Sequence, residues 1–462
     1  MDKILILPLL ASVFMVQHYD PRRLFVSMYL PSLLLVPIYY ETEFVPSTPE
    51  FNFASAIFFP IFVAWLLKSR GRGYRFYWPD AIIFAYILLV FLNQWVNSDY
   101  KVAQKVLFND LMARLGPYVM VRAVFNDVDL RRQLFRNIVL VGAFISFVNL
   151  YEFRLWTNLF DLPWRKIWPE WVPWDGSMKR GGFKRVAGPF AHPICNGYFF
   201  ALSAPIAAYL QRRGELLRNK GMGRWIGRGI VVLHALGVIT SLSRAPIFGL
   251  FMGFGLLAFG WSKRKIIWII ACVPVAIIAL AITIPMFLQY LSVDREHAQD
   301  ESQRNAAYRR ELIDNYLAIV DERPLVGWGR FTVPWIDNQV SIDNEYLYTA
   351  LVSGKLVMYL YLAAILAAVG RTLNILRSRL PGPDPGASEQ RRLLGWVIIA
   401  GLLAGALTQA TVYAGTQTVQ MFFMFLAMAA GLSSAPFGSP LEEVSIPPER
   451  RYGYAHRFSR TL

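Results

Sequence analysis

Long apolar runs separated by short polar breaks dominate the chain. A helix rising about 1.5 Å per residue crosses a hydrocarbon core about 30 Å thick in about 20 apolar residues. On that rule, spans are expected near 4–16, 24–40, 53–67, 79–96, 104–123, 134–152, 191–210, 229–243, 245–260, 266–287, 345–369, 393–412 and 419–436. The first is short enough to be re-entrant or tilted. The pattern therefore predicts an all-α, polytopic fold with twelve or thirteen transmembrane helices, one membrane domain over 1–462.

Lysine and arginine in short loops set orientation. Arg22/Arg23, Lys68 to Arg75, Arg131/Arg132, Arg212 to Arg228, Lys263 to Lys265 and Arg371 to Arg392 occupy every second connection, which places those loops, and the tail 437–462, in the cytoplasm. Two outward connections are longer than a connector requires, and long loops in compact proteins usually carry function. The first, 154–190, is rich in tryptophan (Trp156, Trp164, Trp168, Trp171, Trp174) and basic residues (Arg165, Lys166, Lys179, Arg180, Lys184, Arg185). An interfacial aromatic belt accounts for the tryptophans. Positive charge concentrated outside runs against the topological rule and points to an anion.

The second long loop, 289–345, has arginines (Arg295, Arg304, Arg309, Arg310, Arg323, Arg330) and no lysine. A planar guanidinium grips phosphate bidentately, whereas an ammonium is a point charge. Within it Tyr308, Leu312, Tyr316 and Val320 recur every fourth residue, with Ile313 and Leu317 widening the stripe, so an amphipathic helix is expected over Ser302–Val320 with Ser302 as N-cap. Pro324, Gly327 and Gly329 end it, and Asp343-Asn344-Glu345-Tyr346-Leu347 leads back into the membrane.

Composition agrees: 55% of residues are apolar, only 17% are charged, and mean hydropathy is positive, which a soluble chain of this length rarely shows. The net charge of +16 sits in inter-span loops, so no nucleic-acid partner is expected. Cys195 and Cys272 both lie in apolar runs and imply neither a disulfide framework nor a thiolate metal site. No cleavable signal pattern opens the chain, and no GxxxxGK[ST], HExxH or His/Cys cluster at metal-ligand spacing occurs. No cofactor or metal is expected. Inverted halves are absent too, which counts against a secondary transporter or flippase.

Arg244, in Thr240-Ser241-Leu242-Ser243-Arg244-Ala245-Pro246, falls between two apolar runs with almost no loop, where an unpaired arginine is costly and marks an anion site or a snorkelling helix end. The hydroxyls of Ser241 and Ser243 beside it add donors for phosphate. Asp110 and Arg114, four apart, are expected to pair on one helix face. His234 fits a core histidine, and His192, where the first long loop enters a span, fits packing or positioning.

Several of these pieces together resemble a known family. Arg185-Val186-Ala187-Gly188-Pro189-Phe190-Ala191-His192-Pro193 opening a span, Ser241-Leu242-Ser243-Arg244, the stretch from Arg304 through Tyr308 to Pro324-Leu325-Val326-Gly327-Trp328-Gly329, and Asn344-Glu345-Tyr346-Leu347 up to Gly354 look like the O-antigen ligase and polymerase family. That likeness covers roughly Gly182–Gly431. The family consists of inner-membrane glycosyltransferases that use undecaprenyl-pyrophosphate-linked glycans. The resemblance implies a metal-independent inverting transfer, with arginines on the pyrophosphate and a base for the acceptor hydroxyl. By position Arg244 matches the turn arginine, and Arg304 or Arg309 the loop-helix arginine.

Where the ligases carry a histidine before the re-entry Asn, this chain has Asp343. That departure favours a polymerase of an exopolysaccharide, capsule or O-antigen. The expected site is therefore Asp343, Glu345 and Arg244 as catalytic residues, and Arg244, Arg304, Arg309, Arg310 and Arg185 on the pyrophosphate. His192, Tyr308, Asn344 and Tyr346 are positioning candidates. Expected partners are the lipid-linked oligosaccharide, inner-membrane lipids and a chain-length regulator.

Overall fold

A computed structural model describes residues 2–44, 49–168, 179–217, 220–268, 270, 295–297, 301–337, 339, 341–378 and 385–433. Most of the expected span 266–287, Trp171, Trp174 and the tail 437–462 lie outside the described residues.

The chain is helical with almost no sheet. It opens with α1 (Ile6–His18), α2 (Pro21–Leu24), a π turn over Phe25–Tyr29 and α3 (Leu30–Leu35). A hairpin of β1 (Glu41–Glu43) and β2 (Glu50–Asn52) pairs Glu43 with Glu50 and leads into α4 (Phe53–Leu67). The start of α4 is fixed by a reciprocal cap, Ser55 N–H to Asn52 and Asn52 N–H to Ser55, both 2.9 Å. Next come α5 (Trp78–Asn97), α6 (Tyr100–Asp110), a π turn over Leu111–Leu115, α7 (Gly116–Phe125) and α8 (Val128–Leu155). A short α9 (Leu162–Arg165) and a hairpin of β3 (Lys179–Arg180) and β4 (Phe183–Lys184) precede α10 (Pro193–Arg213), α11 (Gly221–Thr240) and α12 (Arg244–Trp261). The remainder is α13 (Glu301–Glu322), α14 (Glu345–Ser353), α15 (Lys355–Arg377), α16 (Pro385–Gln409) and α17 (Thr416–Gly431).

Among the described residues six helices are long and apolar enough to cross a membrane: α5, α8, α11, α12, α15 and α16. α1, α4 and α17 are apolar but shorter. The centre of the bundle is α10, buried on every side from Cys195 to Leu210 and packed by α8, α11, α12 and α16. Its polar side chains are bonded inside the bundle, Asn196 to the Val186 carbonyl at 3.1 Å and Ser203 to Phe200 at 3.5 Å, because they have no water to face.

Two expectations change. The run 345–369 is not one helix: Gly354 (φ +88) breaks it between α14 and α15. The turn Pro324–Gly329 fills the break, with Trp328 N–H donating to the Leu351 carbonyl at 2.8 Å, Gly329 N–H to Val352 at 2.9 Å and Lys355 N–H to Pro324 at 2.6 Å. Interrupted backbone inside an apolar fold must find such partners. Second, α13 is described from Glu301, which puts Ser302 inside the helix rather than ahead of it. Its stripe is also narrower than expected. Leu312, Tyr316 and Val320 are buried against Leu347, Leu351 and Val352, whereas Ile313 and Leu317 are exposed. Burial of each such side chain is worth about 1.5–3 kcal/mol, enough to hold an otherwise polar helix on α14.

Candidate functional site

Arg185 is held by the frame around it. Glu152 of α8 accepts from the N–H groups of Ala187 (3.3 Å) and Gly188 (3.1 Å) and faces Lys184 at 3.7 Å. Val186 N–H donates to Thr240 at the end of α11 (3.1 Å), and its carbonyl accepts from Asn196 of α10 (3.1 Å). At Gly188 (φ +58) a side chain would meet Asn149 at 2.6 Å, so only glycine fits. The loop carrying Arg185 is thus pinned between α8, α10 and α11.

Its guanidinium reaches the turn joining α11 to α12. Nη2 donates to Ser243 Oγ at 2.9 Å and Nε to the Ser241 carbonyl at 3.3 Å, while Arg180 donates to the Leu242 carbonyl at 2.5 Å. Leu242 adopts φ +48, unusual for a branched side chain and a form of strain that clusters at functional sites. The serines do not face outward as expected. Both are buried, Ser241 donating to Val238 (2.7 Å) and Ser243 to Ser241 (3.0 Å), so their hydroxyls build the turn. Arg244 follows at once as the first, exposed residue of α12.

Arg309 joins from α13. Burial, together with the like charges of Arg180 and Arg309, pulls Arg185 down to about 10. Arg180 and Arg185 are therefore fixed on the 241–244 turn, and Arg309 of α13 is near enough to act on Arg185 electrostatically, a gathering of like charge that favours an anion. Arg304 and Arg310, the other arginines expected here, also stand on α13. Arg304 is exposed five residues before Arg309, about 140° round the helix. Arg310 faces Asp314 at 3.9 Å. Tyr308 donates to the Ser341 carbonyl at 3.3 Å, and Ser341 Oγ donates to Asp343 at 2.7 Å, so α13 also places the stretch containing Asp343.

The re-entry motif divides its labour. Asn344 caps α14, accepting from Tyr346 and Leu347 N–H, both at 3.0 Å. Tyr346 donates to Ala406 of α16 at 2.9 Å. Glu345 is 2% exposed; it accepts from Ala414 N–H at 3.0 Å and lies 4.0 Å from Arg114, which also pairs with Asp110. Asp343 is only partly buried. His192 caps α10, its Nδ1 accepting from Ile194 N–H at 3.1 Å, with Arg185 near its ring. His234 is a core residue bonded to the Ile230 carbonyl at 2.9 Å.

A cleft of about 430 Å³, part of it open to solvent, lies beside α14, lined by Gln94, Asp110, Arg114, Arg330, Tyr348 and Tyr413 among others. The sequence pattern marks neither Arg330 nor Tyr413 as a site residue, although Asn93, Gln94 and Asn97 at the end of α5 were a signal. Asn97 donates to Val326 (3.0 Å) and Gln94 accepts from Arg330 N–H (2.9 Å), tying α5 to the loop that fills the helix break. In the β1–β2 hairpin, burial and the adjacent Glu50 carboxyl push Glu41 up to about 7, against the pull of Arg330. Three further bases of the first long loop are engaged locally: Arg165 with Asp161, Lys184 with Glu152 and Trp156, and Lys179 over the Trp156 ring at 4.7 Å. Trp164 and Trp168 pack on Tyr40, which agrees with an ordinary packing role for them.

These features define a multi-pass α-helical membrane protein with a basic site where two long loops meet the ends of its helices. Residues 229–362, from α11 into α15, match the family model for O-antigen ligase, Wzy_C. The match supports the resemblance to O-antigen ligases and polymerases. No curated protein sequence matches the chain.

Proposed function

We propose that the protein is a polymerase of a bacterial surface polysaccharide, an exopolysaccharide, capsule or O-antigen, working in the inner membrane with its site facing the periplasm. It transfers a glycan from an undecaprenyl-pyrophosphate donor to a sugar hydroxyl of an acceptor repeat unit. The reading rests on one observation, the docking of Arg180 and Arg185 on the turn that leads into Arg244, with the charge of Arg309 reaching Arg185.

The donor pyrophosphate lies against these arginines. The acceptor oxygen attacks the anomeric carbon, the bond from that carbon to the phosphate oxygen breaks, and the acceptor proton passes to Asp343. Undecaprenyl pyrophosphate leaves with the bonding pair, and guanidinium groups fixed in advance stabilise the charge that develops on it. Asp343 is preferred to Glu345 as base because Glu345 is buried between Ala414 N–H and Arg114, a positioning arrangement. His192, Asn344, Tyr308 and Tyr346 hold the helix starts and loops around the site.

The family description favours a second reading, ligation of the glycan to a lipid or protein acceptor. The acceptor decides between them. Purified protein supplied with lipid-linked repeat units and no nucleotide lengthens chains if it is a polymerase, and shows turnover only with a foreign acceptor if it is a ligase. Arg185→Ala should lower turnover about a hundredfold or more, as for loss of a group that stabilises charge in the transition state, and Asp343→Asn should lower turnover more than donor binding. Full activity in both variants would refute the site.

A further inference from the structure

The cleft beside α14 takes no part in the donor site proposed above, and its chemistry differs from that of the 241–244 turn. Its floor is formed by the buried Gln94 of α5 and Asp110 of α6, with Arg114 of the π turn beside them, and its mouth by Tyr348 and the exposed Arg330 and Tyr413. Asp110 pairs with Arg114, which lies 4.0 Å from Glu345, yet Arg114 Nε is buried with no hydrogen-bond partner among the described residues. Gln94 accepts from Arg330 N–H at 2.9 Å and donates to Ser98 at 2.8 Å. The Arg330 guanidinium bonds the Tyr348 hydroxyl and feels the charge of Glu41 in the β1–β2 hairpin.

Cations and carboxylates are thus matched here, whereas the turn gathers arginines. A phosphate in this cleft would meet the Asp110 carboxylate as well as the guanidinium groups. A sugar hydroxyl, which both donates and accepts, suits the mixture. Size sets a further limit. The space inside that a water-sized group can reach is about 40 Å³, and each such group needs about 10–15 Å³, so the floor takes about three hydroxyls and no ring. The ring has the mouth, where Tyr348 and Tyr413 stand at 66° with centres 4.7 Å apart. Aromatic walls with a few convergent polar groups are the usual make-up of a small-ligand site. The cleft also abuts the base assigned above: Glu345, beside Arg114, is two residues from Asp343, a backbone separation of at most about 7 Å.

We propose that this cleft is the acceptor subsite, holding the hydroxyl-bearing edge of a neutral sugar, its hydroxyls on Asp110, Arg114 and Arg330 and its ring against Tyr413. The assignment rests on the glycan-transfer reading, and it separates the acceptor from the donor pyrophosphate at the 241–244 turn.

The probe is the repeat-unit oligosaccharide freed from its lipid carrier by mild acid, titrated by calorimetry into the full-length protein in detergent. It should bind, and inorganic pyrophosphate should not displace it. Arg330→Gln and Tyr413→Ala, both at exposed positions, should each weaken binding about tenfold, the scale of one lost charge-assisted hydrogen bond. Arg185→Ala should keep wild-type affinity for the probe while lowering turnover, because it acts on the donor. No binding, displacement by pyrophosphate, or undiminished affinity in both variants would overturn the subsite, and chain lengthening by the same preparation would then leave the polymerase reading standing. Binding that both variants weaken, in a protein that transfers no glycan, would keep the cleft as a sugar site and refute the transfer reading.

Discussion

Gly354 offers the sharpest test of how the site is built. It sits at φ +88 and ψ 161, a backbone region open to glycine alone, and a β-carbon there would lie 2.3 Å from the Leu325 carbonyl oxygen and 2.6 Å from its carbon. Ordinary contact begins at 3.4 Å, so in Gly354→Ala the Pro324–Gly329 turn must withdraw by about 1 Å. Withdrawal breaks the bonds from Lys355 N–H to Pro324 and from Trp328 and Gly329 N–H to Leu351 and Val352. Backbone strain costs about 1–3 kcal/mol, and three N–H groups left unsatisfied cost about 1–3 kcal/mol each, for a total of about 4–12 kcal/mol. Because α14 carries Asn344 and Glu345 at its start, the damage should reach turnover. Gly370→Ala on α15 is the control: nothing lies within 4 Å of the place its methyl group would take, and helix propensity alone should add about 0.5–1 kcal/mol. Melting in detergent, followed by size-exclusion chromatography, compares the two. A Gly354→Ala midpoint equal to that of Gly370→Ala would show that the break is not clamped as described.

Other substitutions probe separate parts of the structure. Glu345→Gln should lower the melting temperature, because it leaves the partly buried Arg114 with Asp110 alone and weakens the contact to Ala414; Asp343→Asn should leave melting unchanged while lowering turnover. Glu41 predicts a pH dependence. Its folded value, near 7, lies above the ordinary 4.5, so the folded chain binds more protons between those limits and stability falls as pH rises from 4.5 to 7. Glu41→Gln should flatten melting temperature across that window, and an unchanged slope would remove Glu41 from the account.

Much of the architecture was written in the chain because hydropathy is a local property. A run such as that of α8 or α12 is apolar whatever surrounds it, and the i, i+4 spacing of Leu312, Tyr316 and Val320 marks a buried helix face before any partner is known. The Asp110 and Arg114 pair was legible for the same reason, since a helix sets the distance between them. Gly354 was not: an apolar run reads straight through a glycine, and only the carbonyls of Pro324 and Leu325 lying against it decide that the helix stops.

The sequence by itself determined an all-helical membrane fold, two long loops with an excess of arginine, and the family likeness of the re-entry motif. Tertiary structure alone decided which charges meet. Arg185 and Arg309 come from distant loops, and no local pattern states that α13 docks on α14 or that the charge of Arg309 reaches Arg185. It likewise decided that the Ser241 and Ser243 hydroxyls are consumed within their turn and that Glu345 is buried against Arg114. Electrostatic neighbours are fixed by packing across the bundle, whereas crossing a membrane requires only that each segment be apolar along its own length.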